Sequence, residues 1–275
     1  MTWEEAVQQL RNNKSNAQAV LDNYFEEDIF SSVERFRNSE EFAEVTKYIH
    51  PSAKTVLDVG AGRGMASYAF AKLGLQVTAL EPDKSNDIGS GAIRRIQQKF
   101  QLPITVVETM GEQLPFNDKT FDVVYARQVL HHANDLTQFC KEASRVLKPG
   151  GVFIATREHV ITKEEDLNTF LNQHPLHILY GGEHAFTLNT YLQAIKNGPL
   201  SIKKIIHPYA SVINYFPVST DQLKSQFSQA LVPFMGKKLA EYFIQKPIVF
   251  ALLTSIKALT FNQPGRLYSF VAYKK

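Results

Sequence analysis

The stretch that decides the fold is Thr55-Val-Leu-Asp-Val-Gly-Ala-Gly-Arg-Gly-Met65, an apolar run followed by three alternating glycines. The run predicts a buried strand, the glycines a tight turn, and the residues from Met65 the start of a helix. Glycine at positions 60, 62 and 64 permits positive φ and lets the backbone approach a ligand closely. The stretch therefore predicts a ligand site at the carboxyl end of the first strand.

The spacing of these glycines differs from that of the dinucleotide-binding fingerprint. That fingerprint reads G-x-G-x-x-G, whereas these glycines read G-x-G-x-G and Met65 stands at the position of the third fingerprint glycine. Asp58, two residues before the first glycine, would repel a phosphate and favours a cationic group. The turn therefore predicts a positively charged, amino acid-like nucleoside cofactor and argues against a pyrophosphate.

The sequence Val56-Leu-Asp-Val-Gly-Ala-Gly-Arg-Gly64 resembles the first motif of class I S-adenosylmethionine (SAM) dependent methyltransferases. The resemblance covers roughly residues 40 to 160 and is to the small-molecule branch, the type 11 and ubiquinone/menaquinone-like methyltransferases. It implies SAM as cofactor and a Rossmann-like α/β fold: a seven-stranded, mostly parallel sheet, antiparallel in its last strand, with helices on both faces. Ligands of such sheets bind outside the carboxyl ends of the strands, where the strand order reverses.

Three further segments belong to the SAM site that the resemblance implies: those around Glu81, at residues 110–112 and at residues 126–127. Glu81 follows Gly60 by about 20 residues, the spacing of an acid that accepts from the ribose hydroxyls. In the segment that corresponds to the family's adenine motif, Met110 replaces an acid and is expected to pack on the purine, while the Gly111 amide reaches a ring nitrogen. The predicted cofactor-binding residues are Asp58, Gly60, Ala61, Gly62, Gly64, Glu81, Pro82, Met110, Gly111, Glu112, Ala126 and Arg127.

Four regions are predicted along the chain. Residues 1–48 form a helical leader of two helices, Trp3–Tyr24 and Ser31–Ile49, which is expected to cover the cofactor cleft. Residues 49–216 form the SAM-binding α/β core, whose fifth strand is predicted at Val152–Thr156 and whose sixth lies within Leu200–Ile213. Residues 217–265 form a helical insertion that is expected to act as a substrate lid, and residues 266–275 form the last core strand.

Methyl transfer needs few protein groups, because positioning the nucleophile and excluding water supply most of the acceleration. His159, just after the fifth predicted strand, and His184 are the candidate bases, with Glu158 and Glu183 as groups that orient them. The pair at 131 and 132 follows the fourth strand in a pattern common to the family and is assigned a structural role.

No metal site is predicted from the spacing of metal-ligating residues. His174 and His177 stand three residues apart, but Pro175 lies between them and no third ligand is close in sequence. Cys140 is the only cysteine of the 275 residues, which excludes an intrachain disulfide and a cysteine metal cluster. The first 18 residues are polar and show no secretory signal, and the longest apolar stretch, Pro247–Ser255, is too short to span a membrane. The expected location is the cytoplasm.

The basic residues are concentrated at the carboxyl end of the chain. Residues 201–275 hold 10 Lys and Arg against 2 Asp and Glu, although the net charge of the whole chain is only +3. This excess is either a solvated helix face or an attraction to an anionic or lipid-like acceptor or an acidic membrane surface.

Two alternatives to a small-molecule methyltransferase stay open. A nucleic-acid methyltransferase is disfavoured because no Asn-Pro-Pro-Tyr type sequence follows Val124, and because one cysteine within a helix does not suit cytosine C5 chemistry. A SAM-binding regulatory protein without turnover is compatible with the sequence, since methyl transfer requires no signature catalytic residue.

Overall fold

The computed structural model describes residues 1–275 and contains one sheet flanked by helices. The strands are β1 (Thr55–Val59), β2 (Gln76–Leu80), β3 (Ile104–Val107), β4 (Phe121–Arg127), β5 (Leu147–Ile161), β6 (Phe186–Thr187), β7 (Leu200–Ile206) and β8 (Arg266–Lys274). The helices are α1 (Trp3–Asn12), α2 (Ala17–Asp22), α3 (Ile29–Arg37), α4 (Glu40–Thr46), α5 (Met65–Lys72), α6 (Ser90–Phe100), α7 (Leu136–Val146), α8 (Leu167–Gln173), α9 (Pro175–Tyr180), α10 (Leu188–Asn197), α11 (Val212–Tyr215), α12 (Thr220–Met235), α13 (Lys237–Ile244) and α14 (Pro247–Thr260).

The strand order is β3-β2-β1-β4-β5-β8-β7, and the two residues of β6 pair with the end of β5. The strands from β1 to β6 pair in parallel, whereas β8 runs antiparallel to both β5 and β7. This confirms the predicted Rossmann-like fold with an antiparallel last strand, and the short β6 makes the number of strands eight where seven were expected. The order reverses between β1 and β4, so their carboxyl ends open a crevice there.

Apolar side chains fill both faces of the sheet. In β1, Leu57 and Val59 belong to one buried cluster and Val56 to the cluster on the opposite face. The same alternation places Val124 and Tyr125 of β4 on opposite faces. Because helices cover both faces, the central strands read as almost continuous apolar runs, which made them recognisable in the sequence.

The leader has four helices where two were predicted, because polar side chains end each predicted helix early. The Asn13 side chain accepts from the Ser15 amide at 3.0 Å and stops α1. The Ser39 hydroxyl accepts from the Phe42 amide at 3.1 Å and starts α4. Such caps interrupt a helix without changing its apolar periodicity.

Strand β5 is longer than the predicted Val152–Thr156 at both ends. At its carboxyl end, Glu158 and His159 pair with β8 after a register shift beyond Ala155, so they lie in the sheet and not in a connection. Conversely, β7 ends at Ile206, short of the predicted Ile213, because a turn follows and the Ser211 side chain caps α11. The extension of β5 carries Glu158 and His159 to the edge of the crevice.

The insertion between β7 and β8 consists of α12, α13 and α14. No single helix of the chain is long and apolar enough to cross a membrane; α13 and α14 together reach that length and composition, but they meet at an angle of 92°. The insertion leaves many large apolar side chains exposed, including Ile248 and Phe234 at 84% each. The exposed set is Phe234, Leu239, Tyr242, Phe243, Ile248, Leu252, Ile256 and Leu259.

Candidate cofactor and acceptor site

One cavity of about 430 Å³ lies at the carboxyl ends of the central strands. Its volume falls within the range of about 300–1,000 Å³ that small-molecule sites occupy. Its walls include the glycine turn, the ends of β2, β4 and β5, residues 110–112, the leader, and the segment from His174 to Glu183. The cavity is therefore large enough for a small-molecule ligand.

The glycine turn forms the floor of this cavity. Gly60 and Gly62 line it with φ of +62° and +51°. A Cβ on Gly60 would lie 2.5 Å from a methyl carbon of Val129, so this position has no room for a side chain. Gly64, with φ of +84°, instead starts α5 and faces Ile93, so its predicted contact with the cofactor is corrected to a role in the helix start.

Two buried carboxylates stand beside the turn. Glu81 accepts hydrogen bonds from the Gly62 amide at 2.6 Å and the Asp83 amide at 2.9 Å, and Asp58 accepts one from the Ser67 hydroxyl at 2.6 Å. Burial raises the pKa of each carboxyl to about 7, against the lowering effect of these hydrogen bonds. Glu81 therefore shapes the turn, and its remaining lone pairs are available to the predicted ribose hydroxyls.

The predicted adenine segment also borders the cavity. The Met110 side chain is 51% exposed and lines the wall, so its proposed packing on a purine stays a prediction that the geometry permits. A Cβ on Gly111 would lie 2.3 Å from the Phe139 ring, which explains glycine at this position. Glu112 accepts from the Asn134 amide at 2.9 Å and ties this segment to the turn before α7.

Arg127 lines the cavity, but a partner within the protein occupies its guanidinium. Its nitrogens donate to the buried carboxylate of Glu41 at 2.7 and 3.2 Å. Burial by itself lowers the pKa of Arg127, but the Glu41 charge outweighs it and the pKa is raised. Arg127 therefore anchors α4 to β4, and the neighbouring Ala126 lies wholly in the apolar core, so the structure corrects its predicted cofactor contact.

The leader forms a wall of the cavity through Trp3, Asn23 and Phe25. Arg63, from the glycine turn, holds this wall in place. Its guanidinium donates to the Tyr24 carbonyl at 2.6 Å and to the Asp87 carbonyl at 2.9 Å. These contacts fasten the leader to the same turn that is predicted to hold the cofactor.

The insertion, residues 217–265, contributes no side chain to this wall. In this structure the leader and the segment 174–183 line the cavity, and the role of the insertion as a substrate lid stays a prediction. The insertion touches the site only at its carboxyl end, where the Gly265 carbonyl accepts from His159 Nδ1 at 2.9 Å. A carbonyl can only accept, so His159 carries its proton on Nδ1 and presents Nε2 as an unprotonated nitrogen.

A buried ion pair lies at the far end of the cavity. His131 Nδ1 donates to Glu158 Oε2 at 2.7 Å, and His131 Nε2 lies 3.5 Å from Glu183 Oε2. Burial lowers the pKa of His131, but the hydrogen bonds to the two carboxylates outweigh it and raise the pKa to about 9. The Glu158 carboxylate also accepts from the Val129 and His131 amides, both at 3.2 Å, so it fixes the exit of β4.

His159 and His174 complete this cluster. The His159 ring lies 4.7 Å from the His131 ring and 5.3 Å from the His174 ring, measured between centroids. Burial and the adjacent His131 charge lower the pKa of His159 well below its usual value. His174 Nδ1 is buried, lacks a hydrogen bond, and lies 3.9 Å from Glu183 Oε1.

His184, the second predicted base, lies outside the cavity. Its ring packs against Phe186 at 4.4 Å. The neighbouring Glu183 lines the cavity instead, because Gly181 and Gly182 adopt φ of +82° and +79° and turn the chain toward it. The structure thus places His159 and Glu183 in the cavity wall and His184 outside it, so the catalytic role of His184 stays a prediction, and it brings in His174, which sequence spacing does not place there.

Part of this chain is similar in sequence to known methyltransferases. Residues 57–155 match the type 11 family model described as a methyltransferase domain. A sarcosine/dimethylglycine N-methyltransferase from Halorhodospira halochloris is 34% identical over 121 residues, covering 44% of this chain and 43% of that protein. A ubiquinone biosynthesis O-methyltransferase from Paramagnetospirillum magneticum is 36% identical over 101 residues, covering 36% of this chain and 39% of that protein. The matches thus span about two fifths of the relatives' length.

The fold is also similar to that of a solved methyltransferase. Geranyl diphosphate C-methyltransferase from Streptomyces coelicolor, in complex with Mg²⁺, geranyl diphosphate and S-adenosyl-L-homocysteine, superposes with a TM-score of 0.60. The superposition covers 90% of this chain and 82% of that one at 12% identity, so the likeness concerns the fold alone. The matched segment, residues 57–155, is therefore a class I methyltransferase domain of the type 11 group, and SAM is the cofactor of that group.

Proposed function

We propose that this chain is a cytoplasmic enzyme that transfers a methyl group from SAM to an O, N or C atom of a small molecule. The observation that carries the proposal is the single cavity that joins the glycine turn and Glu81 to the buried cluster of His131, His159 and Glu183. The turn and Glu81 would hold the cofactor. The cluster, which lines the same cavity, would face the acceptor.

The chemistry makes few demands on the protein. The acceptor atom forms a bond to the methyl carbon while the carbon–sulfur bond of SAM breaks, and the electron pair stays on sulfur. The sulfonium becomes a neutral thioether, so the reaction needs no acid to stabilise its leaving group. A wall that excludes water and aligns the two molecules supplies most of the rate, and the leader provides that wall. His159, with its unprotonated Nε2 in the cavity, stays the predicted catalytic residue.

We further infer that the acceptor is lipid-like and is met at an anionic membrane surface. The insertion supports this inference: its exposed apolar side chains are accompanied by five lysines at positions 224, 237, 238, 246 and 257 against acids only at 221 and 241. An apolar face bordered by lysines suits the headgroup region of an anionic bilayer. The insertion also joins the cavity through Gly265, next to His159.

A cosedimentation experiment tests the membrane part. Wild-type protein is expected to bind vesicles that contain anionic lipid and to leave vesicles of neutral lipid unbound. Replacing Lys237 and Lys238 with Ala should weaken vesicle binding by up to about 30-fold at low salt, because each lysine near such a surface contributes about 1 kcal/mol, while SAM affinity stays within a few fold. Equal binding by the double variant, or dimers in place of vesicle binding, would overturn this inference.

A transfer experiment tests the activity itself. Protein, methyl-labelled SAM and separate polar and lipid extracts are incubated, and the label is followed into extracted products. Transfer by wild-type protein that is lost in Glu81→Ala supports the proposal, and label in the lipid fraction supports the lipid-like acceptor. Calorimetric binding of SAM without transfer in any extract would favour a SAM-binding protein without turnover, and transfer to added RNA or DNA would favour the nucleic-acid alternative.

A further inference from the structure

We propose that His131, His159 and Glu183 form a site for one divalent transition-metal ion of the zinc or iron(II) kind at the far end of the cavity. One donor atom from each residue lies within 4.8 Å of the others, and all three residues are buried. Two imidazoles and one carboxylate are a donor set typical of catalytic zinc and of non-haem iron(II), whereas magnesium and calcium prefer oxygen ligands alone.

The distances require only a modest contraction. An ion with bonds of about 2.0–2.2 Å holds its donors about 3.0–3.5 Å apart in a tetrahedral arrangement. His131 Nε2 and Glu183 Oε2 already lie 3.5 Å apart. The ion would take the place of the proton between these two atoms, and a donor atom of His159 lies within 4.8 Å of the donor atoms of His131 and Glu183.

The surroundings of both histidines are those of metal ligands. A metal-bound imidazole almost always donates its other ring N–H to a carboxylate or a backbone carbonyl, which fixes the ring and its tautomer. His131 Nδ1 donates to Glu158 at 2.7 Å, and His159 Nδ1 donates to the Gly265 carbonyl at 2.9 Å. Both rings therefore leave Nε2 for the ion.

A charge-paired triad of Glu158, His131 and Glu183 is the alternative explanation, but it accounts for only part of the cluster. It gives no reason for the buried His159 ring that packs against the His131 ring, nor for the His174 ring beside it. Side-chain nitrogens of three histidines, at 131, 132 and 174, surround Glu183 at 3.5 to 3.9 Å, and His174 Nδ1 is buried with no hydrogen bond. A metal ion accounts for His131, His159 and Glu183 together.

The ion site faces the cavity, so a further coordination position is open to a small molecule. An oxygen of the methyl acceptor would fill it, and coordination would lower the pKa of a hydroxyl there. This role of the ion depends on the proposed methyl transfer, whereas the binding of the ion does not.

The test measures ion binding to the full chain after removal of metals with a chelator. Calorimetry with Zn²⁺, and with Fe²⁺ under anaerobic conditions, is expected to give one ion per chain, while Mg²⁺ should not compete. His159→Ala and Glu183→Gln should each weaken binding at least about 100-fold, and Glu158→Gln about 10- to 100-fold. His184→Ala is the matched control, because this histidine is near in sequence but outside the cavity, and it should bind as the wild type does.

Melting curves of each variant with and without Zn²⁺ keep the test valid if a substitution reduces stability. The ion should raise the melting temperature of the wild type and of His184→Ala, and leave that of His159→Ala and Glu183→Gln unchanged, because only a bound ion stabilises the folded state. Absence of saturable binding, or equal binding by His159→Ala, would overturn the proposal. Ion binding without methyl transfer would support the ion site and overturn the proposed activity. Transfer by ion-free protein would support the activity and overturn the role of the ion in it.

Discussion

The leader and the insertion are both helical additions to the sheet, yet they relate to the cavity in opposite ways. Buried polar groups fasten the leader: Arg127 pairs with Glu41, and Arg63 donates to the Tyr24 carbonyl. The insertion buries few side chains and exposes large apolar ones. Its position between the last two strands favoured a lid, but the buried polar contacts determine which helices close the site. Polar anchoring is therefore the better guide to a cavity wall than chain order.

The largest effect is expected from breaking the buried pair that fastens the leader. Glu41→Ala would leave the buried Arg127 charge without a partner and should lower the free energy of unfolding by about 3–5 kcal/mol. Glu241, in the insertion, has an exposed carboxylate that lies 3.9 Å from Lys237. Glu241→Ala should therefore change the free energy of unfolding by less than about 0.5 kcal/mol. Denaturant unfolding measures the free energy of unfolding of both variants. Equal losses would contradict the claim that buried polar contacts fasten the leader but not the insertion.

The next effect concerns the cofactor side of the cavity. Glu81→Ala would remove two ribose hydrogen bonds to a charged acceptor, each worth about 1.5–3 kcal/mol, and should weaken SAM binding at least about tenfold. Leu259→Ala, on the exposed face of the insertion, is the control and should bind SAM normally. Calorimetry that found unchanged affinity in Glu81→Ala would remove this residue from the cofactor site.

The pH dependence of SAM binding follows from the same carboxylate. Ribose hydroxyls donate to the ionised form, and the pKa of Glu81 in the free protein is about 7. Affinity is therefore retained above this pKa and lost as the pH falls through it, by about tenfold between pH 8 and pH 6. Glu81→Gln should remove the part of the pH dependence of SAM affinity that comes from Glu81, and any part that comes from Asp58 should remain. An identical pH profile in the variant would contradict the assignment.

The smallest effect is expected at Met110, where the family pattern has an acid. Because this side chain is half exposed at the cavity wall, Met110→Asp should be tolerated and should change SAM affinity by less than about tenfold. Met110→Leu is the control that keeps an apolar contact of similar size. A larger loss in the aspartate variant alone would show that this wall is built around an apolar contact with the purine.

The core of the fold was predictable because local signals determine it. Apolar runs that end in Gly60 or Glu81 marked strands whose carboxyl ends meet in a parallel sheet. The long β5 was not predictable, since Glu158 and His159 join the sheet only by pairing with β8, more than 100 residues further along the chain. The histidine cluster was not predictable either. Sequence spacing pairs His174 with His177, whereas the fold brings His174 close to His131.

Trp3 makes the closure of this site observable by light. It is the only tryptophan of the sequence, it lines the cavity, and its ring lies 5.4 Å from Tyr180 and 6.0 Å from Phe25. All intrinsic indole emission therefore originates at the seam where the leader meets the segment 174–183. Opening of that seam would increase the solvent exposure of the Trp3 ring and shift its fluorescence emission to longer wavelength. The emission wavelength of the unlabelled protein therefore reports whether the cavity is closed.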